Sequence, residues 1–436
     1  MKKTLVVILC LFLLLSIVAC GRNSEDGSSG SSDEHPEVIR IGVYFPFTGG
    51  SATMGHASWN GAKMAFDNHN AAGGIKSMGG AQIEFVLADT TSVVDVGVTE
   101  VERLIVRENV DILFGAYNSA VGAATAPIAD RYGIPLLLVS SNVDTIMEND
   151  YTYVFRANYP NSTSAETQIE YLQAISQVRG TPLNSVFIVF ENSDFGAGMA
   201  SNMDTFARAA GLNVLGYEGF TTNAPDLSSI VLKVKEANPD IVLAVMYIND
   251  SVLFTTQMYE LDCTVPLFGV GGGFTIHDFI EKTGRLSQGV MATAGFSYDL
   301  IAQKPPISRQ LYDQFARDYA PEPGVQVDDH AAAGYTNAAV LIRVLEDAGS
   351  LDPDAIVEAF RNLNITDPND PVLAFQAWEG VVFGQLRNMR NQNTLAKNVV
   401  VQVIDGEYRM VGPVSVFEGG NTPAIWPLPP WAERIN

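Results

Sequence analysis

Cysteine, histidine and basic residues are all scarce in this sequence, and each shortage argues against a class of function. The cysteines are Cys10, Cys20 and Cys263. The first two fall in an N-terminal segment with the pattern of an export signal, which leaves Cys263 without an intrachain partner. A disulfide-stapled fold is thereby excluded, and a chain of 436 residues can bury a core large enough to do without one. Lys and Arg number 26 against 49 Asp and Glu, a formal net charge of −23 with few basic clusters. That balance argues against nucleic acid as a partner and disfavours contact with anionic lipid headgroups. His35, His56, His69, His277 and His330 form no His-x-x-x-His or His-Glu-x-x-His arrangement that would hold zinc.

Catalytic signatures are missing too. No Gly-x-Ser-x-Gly elbow offers a serine nucleophile, no Walker-type loop is present, and Gly271-Gly272-Gly273 lacks the spacing of a dinucleotide fingerprint. Asp328-Asp329-His330 is acidic enough to suggest a metal, but it precedes a predicted helix, where Asp caps free amides. The expectation is therefore no enzyme, no cofactor and no metal. An exported hydrolase remains only as a remote alternative.

Long apolar runs are confined to the N-terminus. Lys2 and Lys3 precede a nearly unbroken apolar stretch from Leu5 to Leu15, and Ala19 supplies a small residue before Cys20. The stretch is shorter than the roughly 20 residues a spanning helix needs, so residues 1–19 read as a cleaved signal peptide rather than a permanent span. Ile17-Val18-Ala19-Cys20 resembles the bacterial lipobox, which implies that Cys20 carries lipid and anchors the chain to the outer face of a membrane. Residues 21–37 hold no large apolar side chain, so 20–37 is expected to be a lipidated, flexible tether.

From Val38 the sequence alternates short β-rich runs with amphipathic stretches. Strands are predicted at Ile39–Phe45, Ile83–Leu87, Val110–Phe114 and Ile134–Val139, with helices at Ser58–Asn70, Val94–Glu108 and Val121–Tyr132. After the extended Tyr151–Arg156 the rhythm restarts, with strands at Val186–Phe190, Ile241–Met246, Val265–Val270 and Gly289–Thr293, then helices at Ser308–Tyr319 and His330–Ala348. Strands Asn398–Ile404 and Tyr408–Val411 close the pattern. The fold class is α/β, two doubly wound lobes: 38–158 and 293–374 in the first, 159–292 and 375–436 in the second, joined by three crossovers near Tyr159, Thr293 and Ala374. Such lobes bind ligands outside the carboxyl ends of their strands.

The loops at those ends are small and polar: Thr48 to Gly55 after the first strand, Asn118-Ser119 after Gly115, and Ser140-Ser141-Asn142 after Val139. Free amides and hydroxyls near helix N-termini suit a small carboxylate, although the same residues are common in turns.

The order and spacing of Phe47-Thr48-Gly49-Gly50, Asn60-Gly61-Ala62, Gly115-Ala116-Tyr117-Asn118-Ser119, Gly133-Ile134-Pro135, Glu191 to Gly196 and Asn238-Pro239-Asp240 resemble the type I periplasmic binding proteins of the leucine/isoleucine/valine-binding family. The resemblance covers roughly Val38 to Pro413. It implies a solute receptor working with the membrane permease of an ABC importer, as a monomer. A sensor feeding a signalling receptor is the alternative. The carboxylate-holding positions fall on Ser119 and on Ser140, Ser141 and Asn142, with Asn118 beside them. A first-loop aromatic falls on Met54, and second-lobe aromatics on Phe195 and Tyr247. The acid that pairs with a ligand amino group falls on Gly271, where no carboxylate stands. The resemblance thus implies a small carboxylate or amide-like solute, with an amino acid requiring a substitute acid such as Asp194 or Asp250.

Overall fold

Five runs of branched and aromatic residues assemble the first sheet: β1 (Val38–Phe45), β2 (Gln82–Asp89), β3 (Ile112–Gly115), β4 (Leu136–Leu138) and β5 (Val154–Arg156). They pair in parallel in the order β2-β1-β3-β4-β5. The second sheet takes β6 (Ser185–Glu191), β7 (Asn213–Phe220), β8 (Ile241–Val245), β9 (Leu267–Val270) and β10 (Met291–Ala294). Its order is β14-β13-β10-β9-β8-β6-β7, in which β7-β6-β8-β9-β10 echoes the first sheet. A short pair, β11 (Asn364–Ile365) and β12 (Val381–Val382), stands apart, and β13 (Val399–Ile404) and β14 (Glu407–Gly412) add antiparallel strands to the second sheet. Both halves therefore reverse strand order at one point, between β1 and β3 and between β6 and β8. The loops diverge there and leave a crevice. The computed structural model describes residues 36–320, 327–386, 389–414 and 423–434. The signal segment 1–19, Cys20 and all but the end of the tether lie outside the described residues.

Central strands are buried on both faces, β3, β4, β8 and β9 throughout their lengths, which is why they read as unbroken apolar runs. The sequence pattern revealed neither the two-residue strands β11 and β12 nor the longer β7. It is an edge strand with alternating exposure and two glycines, Gly216 and Gly219, lying against Phe187 and Phe190, so it carries little apolar signal. The first helix also departs from expectation. It begins at Ala52 rather than Ser58, which draws the second half of the loop, residues 52–55, into its first turn. Helix Asp329–Ala348 starts at an Asp328 cap, whose carboxylate accepts the Ala331 N–H at 2.8 Å, and stops at Gly349 in the left-handed region (φ 56°).

The chain passes between sheets three times. Residues 157–160 lead from β5 to helix Asn161–Arg179, and Gly295 to Ser297 lead out of β10. The third passage falls after Asn393, not at Ala374. Phe383 packs on Phe155 and Phe360, and Asn391 and Asn393 exchange backbone hydrogen bonds with Arg156, so the segment through 393 belongs to the first lobe. The passages lie side by side. Gln392 Nε2, just before the third, donates to the Asn158 carbonyl of the first at 2.7 Å, and the Ala377 N–H of the first-lobe return segment donates to the Gly295 carbonyl of the second at 2.8 Å. Among the described residues no helix is long and apolar enough to cross a membrane.

Candidate functional site

Loops from the carboxyl ends of both sheets, together with the crossover segments, meet around a small cavity of about 40 Å³. From the first lobe come Ser119, the first residue of helix Ser119–Tyr132, and Ser140 and Asn142 after β4. From the second come Phe195, in the first turn after β6, Tyr247 after β8, and Gly271 after β9. The lobes touch across the cleft: the Tyr117 and Tyr247 rings lie 6.2 Å apart between centroids, and Phe195 sits 5.5 Å from Tyr247. The cavity has room for a few waters, so a solute of amino-acid size requires the lobes to part or side chains to turn.

The lining is polar in a particular way. Ser119 Oγ, Ser140 Oγ, Asn142 Oδ1, His330 Nε2 and both amide atoms of Gln376 are buried and make no hydrogen bond within the protein. A buried polar atom left unpaired costs about 1–3 kcal/mol, so a ligand that satisfies several of them gains that much at each. A larger hollow of about 550 Å³ lies on the other side of Asp329. Of its lining, only Ser297 Oγ is such an unpaired atom among the described residues, so the smaller cavity is the better-formed site.

Three of the expected residues stand elsewhere. Met54 is fully buried in the first lobe's core, because the helix begins early and turns its side chain inward. The first-lobe aromatic at the cavity is Tyr117, packed edge-on against His330 at 5.3 Å. Ser141 Oγ donates to the carbonyls of Ala116 and Asn118, at 3.3 and 3.2 Å, tying the loops after β3 and β4 together behind the cavity. Asn118 Nδ2 donates to Ser51 Oγ at 3.0 Å and anchors the first loop.

The substitute acids are also placed differently. Asp250 is buried but spends both oxygens on the backbone N–H groups of Asn223 and Ala224, and neither it nor Asp194 lines the cavity. The carboxylate that does is Asp329. One oxygen accepts the N–H groups of Gly295 and Phe296 at 2.7 and 3.1 Å, while the other has only Thr275 Oγ1, at 3.5 Å. Burial pushes its carboxyl up to about 7, the Gly295 bond opposes that, and the neighbouring Asp328 charge adds to it. His330 is pushed down to about 4 by burial, so its ring is neutral and supplies no counter-charge. Asp328 caps the helix as the sequence predicts, whereas only the fold reveals that Asp329 turns to the cleft. Among the described residues no group of three or more potential ligands comes together to hold a metal ion.

Two lobes with matched strand order, three adjacent crossovers and a polar cavity between them define a two-lobed solute-binding protein. The chain belongs to the periplasmic binding protein family, whose model matches residues 38–390. Its relatives are solute-binding proteins rather than enzymes. It is 29% identical over 382 residues to Leu/Ile/Val-binding protein homolog 8 of Brucella abortus, covering 86% of this chain and 90% of that one. The fold matches the leucine-binding protein LivK of Thermotoga maritima with a TM-score of 0.73 at 22% identity, over 86% of this chain and 98% of that one. It also matches a solute-binding protein from Rhodopseudomonas palustris BisB5 in complex with 3,4-dihydroxybenzoic acid, with a TM-score of 0.71 at 18% identity, over 85% and 95% of the two chains.

Proposed function

We propose that this chain is the extracytoplasmic receptor of an ABC importer, held to the membrane by lipid on Cys20, and that it grips a small carboxylate-bearing solute between closing lobes. The closed form is what the permease recognises, and one chain completes the site, so a monomer suffices. The supporting observation is the pair of buried, unpartnered hydroxyls of Ser119 and Ser140, the first at the N-terminus of a helix of 14 residues. A helix N-terminus with free amides and hydroxyls favours an anion without a buried countercharge.

A thermal-shift screen of amino acids and small carboxylic acids tests this. A ligand at about 100 times its dissociation constant adds ~2.7 kcal/mol of stability. For the best hit, Ser119→Ala removes a hydrogen bond to a charged group, worth about 1.5–3 kcal/mol, and so weakens binding at least tenfold by calorimetry. An unchanged affinity defeats the carboxylate assignment. The anchor has its own test: Cys20→Ser should move the protein out of the membrane fraction, and retention there counts against the lipid.

A further inference from the structure

We infer that Asp329 sets the charge class of the solute: its carboxylate oxygen Oδ2, held only by the long 3.5 Å bond from Thr275, is the counter-charge for a ligand ammonium group, which makes the solute an α-amino acid. This rests on the binding-site reading above and deepens it. The geometry that carries it is the relation between Gly271 and Asp329. A Cβ built on Gly271 would lie 3.3 Å from Asp329 Oδ2, so the space an acidic side chain at 271 would enter already holds a carboxylate. The acid absent from the second-lobe loop is supplied from the start of helix Asp329–Ala348, beside the crossover at Gly295.

Three further observations agree. Asp329 is 7% exposed and lines the same cavity as the two serine hydroxyls. Among the described residues it forms no ion pair. Its Oδ1 is committed to two backbone N–H groups, which fixes the carboxylate and leaves Oδ2 as the acceptor for a donor from the ligand. A buried carboxylate in this setting is costly until a cation arrives, and the cation most compatible with an anion cradle in the same small cavity is the other end of a zwitterion.

The experiment screens the wild-type protein by calorimetry against the twenty standard amino acids. It then compares the best binder with its α-hydroxy isostere, in which a hydroxyl replaces the ammonium, and with the plain des-amino acid. The amino acid should bind at least about 100-fold more tightly than either, since a site built to pair a buried group rejects analogues that leave it unpaired. In Asp329→Asn, whose amide oxygen can still accept the Gly295 and Phe296 N–H groups, that preference should collapse to within a few-fold through loss of amino-acid affinity alone. Equal binding of amino acid and isostere by the wild type, or a preference that survives Asp329→Asn, overturns the inference. So does tight binding of a plain carboxylic acid with no response to any amino acid, a result that leaves the carboxylate-receptor reading standing. Loss of the Ser119→Ala effect would instead strike that reading. The wild-type comparison stands even if the variant fails to fold.

Discussion

Asp329 accepts the backbone N–H of Gly295 at 2.7 Å, which ties a first-lobe helix start to the point where the chain leaves the second sheet. A buried acid sits at the crossover itself, and its ionisation bears on stability as well as on ligand choice.

The sign follows from the direction of the shift. Asp329 is raised to about 7 and its neighbour Asp328 to about 6, from an ordinary value of 3.8, both chiefly by burial. Between about pH 4 and 7 the unfolded chain has lost these protons while the folded chain keeps them. Their contribution is therefore largest at low pH and is lost as pH rises through that window. The groups facing Asp329 are Asp328, neutral His330, and the raised phenols of Tyr117, Tyr159 and Tyr408, which stay protonated there. Asp329→Asn should thus gain stability relative to the solute-free wild type from pH 5 to pH 8, read as a widening difference in calorimetric midpoints. A difference that stays constant across that range would show that Asp329 does not titrate as a buried acid.

How much of this was legible in the sequence differs by element. The central strands announced themselves because burial on both faces selects continuous branched and aromatic runs, whereas edge strand β7 did not, since one side faces water and glycines replace side chains. Ser119, Ser140 and Asn142 could be picked out because each follows a readable strand, Phe195, Tyr247 and Gly271 only through the family resemblance, and the structure brings those six to one cavity. Met54 was misplaced because small residues at 52–55 look like a loop yet wind as helix. Asp329 and Gln376 lie far along the chain, and only the crossovers carry them to the cleft, a relation that no local pattern encodes.

The helix bearing Asp329 depends on two glycines. A Cβ on Gly61 would lie 1.9 Å from the Ala331 carbonyl oxygen, and one on Gly334 would lie 1.9 Å from the Ser58 carbonyl oxygen, so helices Ala52–Ala71 and Asp329–Ala348 meet backbone to backbone. Overpacking costs about 1–3 kcal/mol where side chains can yield, and backbone yields less readily. Gly61→Ala should therefore cost about 3 kcal/mol in chemical denaturation. It should also weaken solute binding, because the displaced helix carries Asp329 and His330. Unchanged stability would mean that the helices separate freely.

Arg156 braces the other side of the cavity. It is 1% exposed, and its guanidinium donates to the carbonyls of Ser141 and Val143 at 2.9 and 2.8 Å and to Gln392 Oε1 at 2.5 Å. Burial lowers it to about 10, partly offset by Asp144, so it remains charged at neutral pH. Arg156→Met leaves three buried acceptors unpaired, at about 1–3 kcal/mol each, but also lifts the cost of burying a charge, several kcal/mol by itself. These terms nearly cancel in stability. They do not cancel in positioning, because the loop that presents Ser140 and Asn142 loses its tie to the crossover at Gln392. Solute affinity should fall at least tenfold by calorimetry while the unfolding midpoint moves by only a few degrees. A large loss of stability with normal affinity in the remaining folded protein would show that Arg156 supports the core rather than the site.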